Sequence, residues 1–381
     1  MAERVYLDWN ATAPLRPEAR AACLAALDLS GNPSSVHAEG RAARRVVEEA
    51  REKVARAVGA RAENVIFTSG GTEANRLALT PAIEPAPGAA PRARLLVSAI
   101  EHPSVLRGGR FPAGQTAELP VTAEGFIDLD ALRRMLVPGA LVSVMLANNE
   151  TGIVQPVREV AAIVHAADGL LHVDAVQGAG RLAFDFNELG ADLLTLSGHK
   201  PGGPKGIGAL VLREGLHIAE PLIRGGGQER GLRAGTENVA AIAGFGAALQ
   251  AATAGQAGES AHMSGLRDRL EAGLKERTPD VVIFGEKAAR LPNTTLFALS
   301  GLKAETAVIA FDLEGVAVSS GAACSSGKVQ PSHVLAAMGI APGLSQGAIR
   351  VSLGPATTGA EIDRFLDAWK KLSESLGKRM T

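Results

Sequence analysis

Cysteine is nearly absent. Cys23 and Cys324 are the only two in 381 residues, which excludes a disulfide-stapled scaffold and predicts a reducing, cytoplasmic setting. A surplus of one charge is also missing: 39 Lys and Arg face 40 Asp and Glu, for a net charge of -1. A polyanion such as nucleic acid needs a basic excess, so it is excluded as the main partner. Long hydrophobic runs are lacking too. The longest, Val239–Leu249, carries glycines and is too short to span a bilayer, so no membrane association is expected. No charged-then-apolar signal segment opens the chain. Aromatic residues make up 3%. At this length a core forms without a structural metal, and none is expected.

What is present is an ordinary globular balance, 46% hydrophobic and 21% charged residues. Length alone suggests two domains. Glycine reaches 44 residues, above the usual share of about 7%, and it concentrates in particular loops, where backbone can approach a ligand closely.

A helix is predicted over Ala42–Val58, where Val47, Ala50, Val54 and Val58 recur three and four apart. Short apolar runs at Asn64–Thr68, Arg94–Ile100, Leu141–Ala147, Leu170–Val176, Leu193–Leu196 and Gly208–Leu212 then read as buried strands, with helical patterns at Thr72–Leu79 and Val157–Ala167. Such alternation implies crossovers and a mostly parallel sheet. The segment EPAPGAAPRAR reads as a surface loop. The polar stretch TAGQAGESAH predicts a break near residue 255. Beyond it, Val281–Phe284, Thr294–Leu299, Ala307–Asp312 and Ala348–Ser352 read as further strands, before a last helix over Ala360–Leu376. The expected architecture is α/β, a large domain followed by a smaller α+β domain.

Ligands of such sheets bind beyond the carboxyl ends of the strands, and four motifs fall there. TSGGTEAN, from Thr68 to Asn75, ends a strand in glycines and opens a helix, a seat for a phosphate; an ordinary strand-to-helix turn reads the same way. It is neither dinucleotide-type nor P-loop-type. HVDAVQ embeds Asp174 in a buried run, where a charge needs a cationic partner such as a pyridinium N–H, or where Asp174 caps the next helix. LSGHKPGGPKG puts Lys200 after a strand in a Gly- and Pro-rich turn, suited to Schiff-base chemistry, though a surface lysine fits equally. SSGAACSSG surrounds Cys324 with Ser, Gly and Ala. Nothing there anchors a core, which predicts an accessible thiol on a loosely held loop. Cys23, within RAACLAAL, lies on an apolar helical face and is expected to pack.

Together YLDWNATAP, SGGTEAN, EHPSV, NNETG, HVDAVQ, SGHK, GGGQERGLRAGTEN, SSGAAC and IRVSLG resemble the cysteine desulfurases of the NifS/IscS kind, within the class V aminotransferase-like family. The likeness runs collinearly through nearly the whole chain. It implies the pyridoxal 5'-phosphate-dependent transferase fold of type I. The large domain would span residues 15–252, and the small domain 1–14 with 253–381. It implies conversion of L-cysteine to L-alanine, with the sulfur held as a persulfide on Cys324 and passed to an acceptor protein for iron-sulfur or thio-cofactor synthesis.

By motif, the resemblance makes Lys200 the cofactor-bound lysine and Cα base, with Cys324 the nucleophile. Asp174 would pair with the ring nitrogen, Gln177 with the ring oxygen, and His102 would stack on the ring and serve as an acid/base. Gly71, Thr72, Ser197 and His199 would hold the phosphate. Thr236 would reach it from a second subunit, implying a homodimer. Asn149 and Arg350 would engage the substrate carboxylate. Trp9 and Pro201-Gly202 depart from the family pattern without touching these roles. The end at Thr381 puts docking through a long C-terminal extension in doubt. SSGAAC resembles the long-loop group, not the RxGHHC group. Alternatives are a selenocysteine lyase or an aminotransferase, the latter needing no thiol on a loop, or a catalytically idle sulfur-trafficking scaffold, against which Lys200, Asp174, His102 and Cys324 together speak.

Overall fold

Runs of Val, Leu and Ile fold into a buried sheet because β-branched and apolar side chains pack on both of its faces. The computed structural model describes residues 4–85, 88, 90–321 and 331–380, with side chains to 374. Seven strands form the main sheet: β1 (Val65–Thr68), β2 (Leu95–Ser98), β3 (Thr116–Leu119), β4 (Leu141–Met145), β5 (Leu170–Asp174), β6 (Leu193–Ser197) and β7 (Gly208–Leu212). Their order is β1-β7-β6-β5-β4-β2-β3. The pairs β3–β2, β2–β4, β4–β5 and β5–β6 are parallel; β7 runs antiparallel between β6 and β1. Six of the seven were expected. The edge strand β3, sequence TAEL, is half exposed and carries no continuous apolar run to betray it.

Alternate residues serve opposite faces. Leu96, Val144, Val173 and Leu196 join Val47, Val54 and Phe245 in one apolar cluster. Leu95, Leu141, Leu193 and Leu210 join Leu77 in another. The covering helices are α1 (Pro17–Leu27), α2 (Ala38–Ala57), α3 (Gly71–Ala78), α4 (Val157–His165) and the first part of α5 (Val239–Arg277). In α2, Val47, Ala50 and Val54 are buried as their spacing requires, and the His37 ring caps the helix by accepting from the Gly40 N–H. Cys23 packs against α5, facing Gly244.

A third cluster gathers Val5, Leu7, Leu270, Phe297, Phe311, Val351 and Trp369. It lies on a four-stranded antiparallel sheet of β8 (Val282–Ile283), β9 (Thr294–Ala298), β10 (Ser319–Ser320) and β11 (Ile349–Ser352), in the order β8-β9-β11-β10. Helices α6 (Ala304–Leu313) and α7 (Gly359–Met380) accompany it. Phe297 meets Trp369 edge-on at 5.1 Å, and Phe311 stacks on Phe365 at 4.9 Å.

Two expectations are corrected. The break near residue 255 does not exist, because α5 is one 39-residue helix through TAGQAGESAH. Ala, Gln, Glu and Ser all tolerate a helix, and the polar stretch bridges two clusters instead of ending one. Burial stops at Ala252 and resumes at Met263. Between them Gln256 and Ser260 each donate to the Arg181 carbonyl at 3.1 Å, and Glu259 pairs with Arg16 at 2.6 Å. The run Ala307–Asp312 is helical, not a strand. Ala304, Ala307 and Phe311 are buried three and four apart, while Ile309 is 57% exposed, the helical period. Among the described residues no helix is long and apolar enough to cross a membrane, and no cluster of three or more His, Cys, Asp and Glu could hold a metal ion.

Helices α2 and α5 approach closely because α5 presents glycine at the crossing. A methyl on Gly246 would lie 2.8 Å from the Ala50 Cα, a backbone atom that cannot move aside alone. Gly246→Val should therefore lower stability by about 1–3 kcal/mol through overpacking. A denaturant midpoint equal to the parent's would contradict this crossing.

Candidate active site

The strand carboxyl ends open on one cavity of about 650 Å³. Strands β2, β4, β5 and β6 are parallel, and β1 follows their direction because two antiparallel steps through β7 restore it. Their ends therefore deliver His102 after β2, Asn149 after β4, Asp174 and Gln177 from β5, Ser197, His199 and Lys200 from β6, and Gly71 and Thr72 after β1. All line the cavity, joined from β11 by Arg350. Ten of the twelve expected site residues thus converge. Thr236 is exposed and lies outside this cavity of its own chain. Cys324 lies outside the described residues.

Asp174 is the electrostatic centre. It is 6% exposed. It accepts from the Asn75 amide at 2.9 Å and the Val176 N–H at 3.0 Å, both neutral donors. The Asn75 amide also reaches the Ser104 hydroxyl at 2.9 Å, which meets His102 Nδ1 at 2.8 Å. His102 Nδ1 accepts from the Ser104 N–H at 3.1 Å, as the cap of the helix Pro103–Leu106, so the neutral ring carries its proton on Nε2. Burial lowers the His102 pKa, aided by Lys200 and His333 and opposed by Asp174. Glu101, fully buried, is pushed well above the usual carboxylate range by burial and by Asp174.

Lys200 Nζ donates to the carbonyls of Asn10, at 2.5 Å, and Ala11, at 2.9 Å. The Asn10 carbonyl also accepts from Gln177 at 3.1 Å, and Arg181 donates to the other end of that amide. Burial and the neighbouring Lys200, Lys205 and Arg181 lower His199 to about 4. Arg350 is gripped by Asp8 at 2.7 Å and by the Asn149 carbonyl at 3.0 Å, and its Nε is buried without a hydrogen-bond partner.

Sequence reasoning missed Asn75, Asn10, Arg181 and Asp8 as supports. Asn75, Asn10 and Asp8 stand inside the quoted motifs, and a buried amide on an apolar helix face is the available signal for Asn75. Arg181 gives none; burial first, then Arg350 and Arg16, bring it down to about 10.

The cavity fits pyridoxal phosphate. A cationic ring nitrogen would satisfy Asp174, whose burial is costly without a counter-charge. A phosphate would meet the first amides of α3, Lys205 and the cations that surround His199. The seat is also narrow, since a methyl on Gly208 would lie 2.6 Å from the Gly70 carbonyl carbon, and one on Gly71 3.0 Å from Val176.

The chain matches the class-V aminotransferase family from residue 5 to residue 365. It belongs to that family. A cysteine desulfurase of Cereibacter sphaeroides is 45% identical over 98% of this chain and 97% of its own. The cysteine desulfurase IscS of Dictyoglomus turgidum is 42% identical over 99% and 96%. The structure of a NifS-like protein from Rickettsia africae superposes with a TM-score of 0.88 at 34% identity, covering 98% of this chain and all of that one. Within the class-V aminotransferases, a family of pyridoxal-phosphate enzymes, the chain therefore falls among the cysteine desulfurases of the NifS/IscS kind, and the expected fold is the one found.

Beneath Asp174 lies His172, fully buried between Ser143 at 2.8 Å and Thr195 at 2.9 Å. Burial lowers it to about 4. The unfolded chain, with a histidine near 6.5, then binds more protons between pH 6.5 and 4, so stability falls as pH drops through that window, by up to about 1.4 kcal/mol per unit for this group. Urea midpoints should decline from pH 7 to pH 5, and less steeply in His172→Asn. Equal slopes in the two proteins would contradict a neutral buried His172.

Proposed function

We propose that this chain is a pyridoxal-phosphate-dependent cysteine desulfurase. It converts L-cysteine to L-alanine, takes the sulfur as a persulfide on Cys324, and passes it to an acceptor protein for iron-sulfur cluster or thio-cofactor synthesis. The observation that carries the reading is the single cavity faced by Lys200, Asp174, His102 and Arg350, in a chain whose relatives are cysteine desulfurases.

When bound, the cofactor supplies an aldehyde carbon for an amine and a ring that withdraws electrons from Cα. Asp174, oriented by Asn75 and Val176, would keep the ring nitrogen protonated. Gln177 would donate to the ring oxygen, and His102 would lie against the ring. Gly71, Thr72, Ser197 and His199 would hold the phosphate. Arg350 and Asn149 orient the substrate carboxylate. The Lys200 amine leaves the Asn10 and Ala11 carbonyls to take the Cα proton. The Cys324 thiolate forms an S–S bond to the substrate sulfur as the Cβ–S bond breaks. That electron pair stays with carbon, which is protonated, and alanine leaves.

The reading includes a homodimer in which Thr236 completes the partner's phosphate seat, and a division into residues 15–252 and residues 1–14 with 253–381, crossing inside α5. The two apolar clusters on either side of Ala252 and Met263 support that division. A thiol that must stay reduced suits the cytoplasm.

Two variants test the assignment with L-cysteine and a reductant. Cys324→Ala should keep the yellow cofactor band and lose sulfide release. Lys200→Ala should lose that band's characteristic position, with turnover reduced roughly 10²–10⁴-fold, the usual worth of a placed base. Persulfide formation at the parental rate in Cys324→Ala, or an unchanged spectrum and turnover in Lys200→Ala, would overturn it.

A further inference from the structure

Glu150 is a buried carboxylate that the mechanism above does not use. It sits in the NNETG turn beside Asn149 and is 3% exposed. The turn is knotted by Asn148, whose side-chain oxygen accepts from the N–H groups of Glu150 and Thr151, both at 2.9 Å. Glu150 is not among the residues that line the cavity. Its Oε2 accepts from the Ser332 hydroxyl at 2.5 Å, and a methyl placed on Gly321 would lie 3.4 Å from the same oxygen.

Gly321 and Ser332 bracket the segment that carries Cys324. Gly321 follows β10, whose Ser319 pairs with Arg350 on β11, and its N–H donates to the Ala348 carbonyl at 3.0 Å. Ser332 caps the helix His333–Ala337 by accepting from the Leu335 N–H at 3.0 Å. That carboxylate oxygen thus holds Ser332 and lies close beside Gly321, the two residues that flank the segment, on the turn that also presents Asn149 and fixes Arg350 through the Asn149 carbonyl. Cys324 follows Gly321 by three residues, a tether of about 10 Å at full extension. The position of that anchor limits where the thiol can go. Besides the Ser332 hydroxyl, the Arg350 guanidinium acts on this carboxylate electrostatically; a buried charge is a poor device for stability, so its value lies in geometry.

We infer that Glu150 is a positioning residue for sulfur abstraction. It pins Ser332 against the turn that binds the substrate carboxylate and packs beside Gly321, and so sets the reach of Cys324 to the substrate sulfur. This rests on Cys324 being the nucleophile proposed above. Its chemical class of action is tethering; Glu150 exchanges no proton and contacts no substrate.

The test uses the holoenzyme and separates two steps. Deuterium exchange at Cα of L-alanine in heavy water reads proton removal by Lys200 without any thiol. Sulfide release from L-cysteine reads the thiol step. Glu150→Leu and Ser332→Ala should each lower kcat for sulfide release about tenfold, because small misplacements of a reacting group are costly, with KM and Cα exchange within twofold of the parent. The double variant should be no slower than the slower single, as expected for two ends of one contact, and Ser332→Thr should restore the rate. Unchanged sulfide release, additive losses, or Cα exchange falling in parallel would overturn the inference, the last by showing a merely structural role. Cys324→Ala run alongside separates the two claims: sulfide release surviving there sinks the nucleophile assignment, whereas its loss there with normal rates in the Glu150 and Ser332 variants sinks only the tether.

Discussion

One negative charge at the end of a buried strand organises this site. Asp174 closes β5 at the centre of the sheet, where a carboxylate without a cation is expensive. Its neighbours are arranged to leave that demand open. Asn75 and Val176 orient it with neutral donors, burial and Asp174 itself push the Glu101 carboxyl upward, and burial keeps His172 below it neutral. A ligand carrying a protonated ring nitrogen meets that demand. The helix of the phosphate seat supplies Asn75, so the parts that would bind the two ends of the cofactor are covalently one element.

The N-terminal segment is the second constraint. Asn10 spans two apolar clusters: its carbonyl holds Lys200 and Gln177, and its amide donates to Thr294 Oγ1 at 2.9 Å. Asp8 grips Arg350 from the same short stretch. The lysine expected to act at the substrate Cα and the arginine expected to hold its carboxylate are thus set by residues two apart in sequence. Helix α5 ties the same bodies together on the far side through Glu259 and Arg16.

Much of this is legible in the amino-acid sequence. The Val- and Leu-rich runs have only one way to be buried, and their carboxyl ends point to His102, Asp174 and Lys200. The motif order then singles out the family. What escapes does so for physical reasons. The edge strand Thr116–Leu119 is paired on one side only and needs no apolar run. TAGQAGESAH resembles a linker because polar small residues suit loops and bridging helices alike. Ala307–Asp312 resembles a strand because six apolar-rich residues are too few to separate a period of two from one of 3.6. Asp8 escapes although it stands inside YLDWNATAP, because its partner Arg350 lies 342 residues away, and Arg181 stands outside every quoted motif, so nothing marks its bond to the nearby Gln177.

The central claim is that Lys200, and no other amine, meets the cofactor. Lys205 lines the same cavity and is the natural rival. Reducing the cofactor-loaded protein with borohydride fixes any lysine–cofactor linkage, and peptide mass spectrometry then locates it. The account predicts the pyridoxyl mass on Lys200 alone. The same mass on Lys205, or on no lysine at all, would contradict it.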